Sequence, residues 1–261
     1  MNIKWIIEPG IFNENYKIRS YLEKEKIDHI VIDYRKGYEQ LENKIDKNDI
    51  VIPHGSFQLI DYLKNKNSYI FCDDFKFKCN YYYPIFGNYL LNENYIMIPF
   101  GDLERKKEWL YEKISNYKQL FFRPNSHKKI FSGILIDYED WDNKYKQISF
   151  YNITEEEIVI VSEKKNIIGE WRSIIFNNNI IAISQHDYID SKIEIRKVLE
   201  YIKNVLSSVK YNPDPIYTLD VVLLDNEEFK INEVGSFSCS DIYDCDPKII
   251  INTVNNIVKK G

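Results

Sequence analysis

The chain has 261 residues, with 35 Lys and Arg against 40 Asp and Glu and a formal charge of −5. That length accommodates one large domain or two small ones around an ordinary hydrophobic core. The acidic balance argues against a surface made to wrap nucleic acid, a local basic groove aside. Cys72, Cys79, Cys239 and Cys245 show neither C-x-x-C spacing nor a paired framework, and no apolar leader precedes the first charged residues, so reduced thiols in a cytoplasmic protein are expected. The longest apolar runs are strand-sized, well short of a membrane span. The 21 tyrosines, with abundant Lys, Asn and Ile, reflect the composition of an AT-rich coding sequence better than a base-stacking surface.

In chain order, the first hundred residues alternate apolar strand-like runs with helical ones: Ile3 to Ile7, a helix near Asn13 to Lys26, then His29 to Asp33. Asp49 to Pro53, a helix near Ser56 to Lys66, and Tyr69 to Cys72 repeat the pattern, which is the β-α-β rhythm of a small parallel sheet. Tyr81 to Pro84 reads as an aromatic, proline-broken connection. Gly101 to Lys118 reads as an amphipathic helix with Leu103, Trp109, Leu110 and Ile114 inward. A boundary near residue 98 separates this N-terminal lobe, 1–98, from the remainder, 99–261.

Beyond it, strands dominate: Leu120 to Arg123, Gly133 to Ile136, Glu157 to Val161, Glu170 to Phe176 and Ile180 to Ser184. Asn177-Asn178-Asn179 supplies a hairpin turn. A helix near Ser191 to Ser208 follows, then two apolar runs joined at Asp225 to Glu228, then a helix near Pro247 to Lys259. The layout is α+β after an α/β lobe, with two lobes flanking a cleft and a hinge expected near 160–168. Trp5, Trp109, Trp141 and Trp171 are expected as core or half-buried anchors.

Asp220 and Glu233 sit inside the two runs of the last hairpin, where an unpartnered carboxylate is too costly to keep. A hairpin brings them side by side and suggests a magnesium site, with Asn232 adjoining. An ion pair to Arg172 or Lys129 is the alternative. The glycines form no G-x-G-x-x-G or Walker loop, so a nucleotide would have to be held by cationic side chains. The run from Phe121 to Gly133 supplies them, with Arg123 at a strand end and Lys128 and Lys129 in the following loop.

An Arg-Pro strand end, a Lys129-Ile-Phe-Ser-Gly133 loop, a strand ending in Glu163, a Gly169-Glu-Trp-Arg172 strand and the acidic hairpin occur in that order. Over roughly residues 100 to 250 the chain resembles the ATP-grasp superfamily, and within it the phage- and bacteria-associated branch. The resemblance implies an ATP-grasp fold preceded by a Rossmann-like lobe, and ATP and Mg2+ as cofactors. It implies that Arg123 and Lys129 contact the phosphates, that Ile158 to Glu163 runs along the adenine with Glu163 at the ribose or adenine edge, and that Glu170 joins the nucleotide set. Arg172 would meet the γ-phosphate or an acyl phosphate, and Asp220 and Glu233 would bind the metal. The family's asparagine two residues after the metal glutamate is Gly235 here, with Asn232 or Ser236 as substitutes.

The activity this implies is ATP-dependent joining of a small-molecule or peptide carboxylate to an amine through an acyl phosphate, with no membrane partner. Two alternatives remain open: a modifier of nucleic acid or of protein side chains, and an inactive nucleotide-binding module. His54 and Ser56 lie at a strand-to-helix turn, where a cap and a ligand contact are both open readings. His127, His186, Ser238, Ser240 and Tyr243 fit loop, capping or substrate-end roles.

Overall fold

The computed structural model describes residues 2–12, 16–115, 118–151, 153–186 and 194–260. The starts expected at Asn13 and at Ser191 for two helices lie outside those residues. Within them the helices are α1, Lys17–Lys24, and a later helix, Ile195–Ser208.

The N-terminal sheet is built from β1, Asn2–Ile7, β2, His29–Val31, and β3, Asp49–His54, in the order β2-β1-β3 with both pairings parallel. Apolar residues on both faces of β1 explain its central place, since a parallel strand is covered on each side. Ile6 packs with Val51, Leu59 and Leu63, the last two from α2, Phe57–Leu63. On the opposite face Trp5 and Ile7 pack with Ile18 and Leu22 of α1 and with Ile250 and Val254 of the closing helix, Pro247–Lys260.

Tyr69 to Cys72 does not become a fourth strand. Only a bridge between Val51 and Ser68 forms. Phe71 then donates its N–H to Ser238 Oγ at 3.0 Å, and its carbonyl accepts from the Ser238 N–H at 3.2 Å, so its ladder groups are already engaged.

Tyr81 to Pro84 is helical rather than a connection, lying inside α3, Cys79–Phe86. Tyr82, Tyr83 and Phe86 are buried there, and the helix stops at Gly87 with φ 51°, so the proline sits within two residues of the end.

The second sheet holds β4, Tyr95–Pro99, β5, Gln119–Pro124, β6, Ile134–Asp137, and β7, Ile158–Glu163, in the all-antiparallel order β4-β7-β5-β6. One face packs on α4, Leu103–Ile114, and α5, Trp141–Ser149, through Leu110, Tyr111, Leu120, Phe122, Trp141 and Val161. Trp109, expected inward, is 42% exposed beside the Lys106 ammonium, and Tyr111 takes the buried position.

The third sheet holds β8, Ile167–Phe176, β9, Asn179–His186, β10, Ile216–Leu224, and β11, Phe229–Ser236, in the order β11-β10-β8-β9. The β8–β9 turn uses Asn177 and Asn178 at φ 46° and 64°, the left-handed pair a tight hairpin needs. In chain order the helix Ile195–Ser208 is α6 and Pro247–Lys260 is α7.

Packing does not divide the chain at residue 98. One compact unit is Met1–Asp73, Gly169–Val221 and Glu233–Gly261, and the other is Asp74–Ile168 with Val222–Asn232. The physical reason is the shared core of β1 and β3 with Ile174 of β8 and the apolar face of α7. Among the described residues no helix is long and apolar enough to cross a membrane.

Candidate active site

In the first unit, strand alternation on β8 separates Trp171 from its neighbours. Trp171 is buried in the core while Glu170 and Arg172 share the other face. Arg172 donates from Nε and Nη2 to Asp220 Oδ1 and Oδ2 at 2.8 and 2.6 Å, a bidentate pair across β8 and β10. Its Nη1 donates to the Asp241 carbonyl at 2.9 Å, and its guanidinium lies 4.5 Å from the centre of the Tyr243 ring. Burial opposes the charge on Arg172, but Asp220, Tyr243 and Glu233 together outweigh it and raise the pKa further. The Tyr243 phenol is pushed up by burial, with Arg172 opposing and Asp220, Asp241 and Glu170 reinforcing.

A glycine marks a close approach of β10 and β11. A Cβ on Gly235 would stand 2.6 Å from Thr218 Oγ1, so these two residues face each other across β10 and β11. Glu233, also on β11, lies near enough to Arg172 for its charge to act on the guanidinium together with that of Asp220. With Ser184 opposite Arg172 on β9 and Asp220 bound to Arg172 from β10, the three side chains lie side by side across the sheet.

Gly235 also has a local explanation. Thr218 Oγ1 and Ser240 Oγ, 3.4 Å apart, occupy the space that any side chain at Gly235 would enter.

In the second unit, Arg123 ends β5 opposite Ile160 of β7 and is buried, with 9% exposure. Burial drives the neighbouring Tyr83 phenol up to about 12, the Arg123 charge acting against that rise. The loop after β5 is fixed at its base by Asn125, whose Oδ1 accepts from the Asn80 N–H at 2.7 Å. It then presents Lys128 and Lys129 to solvent, Lys129 with φ 48°. Gly133 is required where the loop rejoins the sheet, because a Cβ would come 2.7 Å from the Phe121 ring. Glu163, at the end of β7, is exposed and accepts from Lys165 Nζ at 2.8 Å.

The structure thus gathers Glu170, Arg172, Asp220 and Glu233 on the face of one sheet, while Arg123, Lys129 and Glu163 belong to the other unit. Residues 102–254 match the ATP-grasp domain of the R-two-K clade, family 3. The chain belongs to that family. Solved ATP-grasp relatives share the fold at low identity. Against D-cycloserine synthetase DcsG the TM-score is 0.58 at 9% identity, covering 93% of each chain. Against D-alanyl-alanine synthetase A from Vibrio cholerae it is 0.58 at 11% identity, covering 98% of each. Against N5-carboxyaminoimidazole synthetase from Staphylococcus aureus complexed with ADP it is 0.56 at 12% identity, covering 90% of this chain and 70% of the other. No curated protein sequence matches the chain.

Other candidates of this ATP-grasp chain have structural explanations. Ser56 caps α2, its Oγ accepting from the Leu59 N–H at 3.1 Å. His54 is fully buried among Phe12, Tyr16 and Phe237, its Nδ1 2.7 Å from Tyr16 Oη. The Ser238 hydroxyl is engaged by Phe71. His127 is buried, and the stretch after His186 lies outside the described residues. Asp241 escaped sequence reading because it contributes a backbone carbonyl, which carries no residue signature.

Proposed function

We propose that the chain is an ATP- and magnesium-dependent ligase that joins a carboxylate to an amine. The observation carrying this reading is the state of Arg172. Asp220 and the Asp241 carbonyl take three of its N–H donors. A guanidinium has five in all, so two remain for an incoming oxyanion while the side chain stays fixed. A cation held rigid beforehand stabilises charge on a transferred phosphoryl group without reorganising during reaction. Synthetases and ligases among the solved relatives, one complexed with ADP, support the same reading.

In the proposed reaction a substrate carboxylate oxygen attacks the γ-phosphorus, the bond to the β-γ bridging oxygen breaks, and ADP leaves. The amine then attacks the acyl carbon, phosphate departs with the C–O bonding pair, and the amine loses a proton. Arg123 and Lys129 are assigned to the ATP phosphates, Glu163 and Glu170 to the rest of the nucleotide, and Arg172 to the acyl phosphate. Asp220 and Glu233 would hold magnesium, which neutralises phosphate oxygens when bound. No trio of His, Cys, Asp or Glu converges among the described residues.

The test is Glu233→Gln. Magnesium-dependent ADP release across a panel of acids and amines should vanish while circular dichroism is unchanged, and full turnover in the variant would remove the assignment. Crowding at Gly235 favours a second reading, a nucleotide-binding module without catalysis. ATP raising the melting temperature with no ADP release across the panel would select it.

A further inference from the structure

The first unit also contains a cavity of about 950 Å³ lined by none of the residues assigned above. Pro9 and Gly10, which follow β1, and Ile32, which follows β2, lie at its base. One wall is α1, and the other is the segment from Asp33 to Lys44. The cavity therefore opens at the carboxyl ends of parallel strands, where α/β sheets receive ligands. Its size is that of a small-molecule site.

The charges on its walls differ in availability. Arg19 donates to Glu23 at 2.8 Å, and Arg35 grips Asp33 through Nε and Nη2 at 2.8 and 2.9 Å, so both guanidinium forks face acids of the protein itself. Lys36 and Lys44 also line the cavity, and among the described residues neither ammonium has a hydrogen bond or ion pair. The lining thus carries four cations against two acids, and the unmatched pair are the lysines. Guanidinium forks suit planar carboxylates, whereas two mobile ammonium groups suit a tetrahedral dianion that accepts from several directions. Tyr34 adds a flat surface: its ring packs beside Gly10, 3.5 Å from where a Cβ would stand, and the residue is 47% exposed.

We propose that this groove binds a phosphate monoester with a flat organic body, the phosphate taken by Lys36 and Lys44 and the body laid against Tyr34. The inference stands independently of the ligase reading.

The experiment is calorimetry on the whole protein without ATP or magnesium, titrating phenyl phosphate, inorganic phosphate and succinate. Phenyl phosphate should bind saturably with Kd below roughly 1 mM, inorganic phosphate more weakly, and succinate not measurably. Affinity should fall at higher salt. The double variant Lys36→Gln/Lys44→Gln changes only exposed side chains, so it keeps the fold. It should lose about tenfold in affinity, a difference of about 1.4 kcal/mol. Tyr34→Ala should erase the preference for phenyl phosphate over inorganic phosphate. Glu233→Gln should leave phenyl phosphate binding unchanged, and the double lysine variant should keep the ATP-induced thermal shift, which separates this site from the nucleotide. Absence of saturable binding, equal binding of succinate, or undiminished affinity in the double variant would each overturn the proposal.

Discussion

Asp220→Asn tests the arrangement at its centre. The Arg172 and Asp220 side chains are only 11% and 7% exposed, so losing the carboxylate charge leaves a guanidinium in a poorly solvated place. Removing one partner of a buried pair costs about 3–5 kcal/mol. Asparagine keeps one oxygen acceptor and a nearly identical shape, which puts the expected loss at the lower end, about 3 kcal/mol. For a chain of this size about 1 kcal/mol corresponds to roughly 2–4 °C, so the melting temperature should drop by roughly 6–12 °C. Intrinsic fluorescence reads this directly, because Trp171 adjoins Arg172 and is buried. The drop should persist in concentrated salt, since screening acts weakly on a buried pair. Replacing both partners, Arg172→Met with Asp220→Leu, should restore most of the stability because no charge is left stranded. A melting temperature for Asp220→Asn within about 1 °C of the parent would refute the reasoning, as would a double variant less stable than the single one.

Gly235→Ala should cost about 1–3 kcal/mol by overpacking against Thr218, and Thr218→Ala in the same chain should recover most of it; urea denaturation showing equal cost in both backgrounds would count against the contact. Burial lowers the His54 imidazole from 6.5 to about 3. The unfolded chain therefore binds a proton below pH 6.5 that the folded protein refuses. This contribution to stability is complete above pH 6.5 and is lost as pH falls toward 3, at about 1.4 kcal/mol per pH unit. His54→Phe should flatten the acid limb of stability measured by urea unfolding at pH 7, 6 and 5, and an unchanged slope would exclude His54 as its source. Lys129→Asn, chosen because asparagine tolerates the left-handed φ of 48°, should weaken ATP binding by roughly three- to tenfold; equal calorimetric affinity would remove the phosphate assignment.

What could be read from residue order was local. The parallel rhythm of β1 to β3, the Asn177-Asn178 turn and the hairpin of β10 and β11 all follow from apolar period and turn chemistry within a few residues. The elements that escaped are held by distant contacts. The short run of β4 gains its pairing from β7. Mostly polar α5 buries only Trp141 and Ile148, a contact pattern too sparse to announce a helix. Helix α3 tolerates Pro84 because Tyr82, Tyr83 and Phe86 are buried, a tertiary effect that overrides propensity. The noncontiguous compact unit has the same origin, since α7 completes the core over β1 from the far end of the sequence.

The site was legible to the extent that one-dimensional alternation determines which face a side chain takes. Asp220 and Glu233 come from the two strands of one hairpin, and both charges act on Arg172. Arg172 obeys that alternation: with Trp171 in the core, Arg172 must emerge on the side away from it. What parity cannot supply is the lateral neighbour. Whether β8 or another strand lies against β10 depends on sheet order, and only that order converts an arginine and an aspartate 48 residues apart into a bidentate pair. The pair and the magnesium assignment are compatible on this geometry. Arg172 approaches Asp220 along the sheet from β8 with one N–H to each oxygen, and each Asp220 oxygen keeps a second lone pair for a ligand.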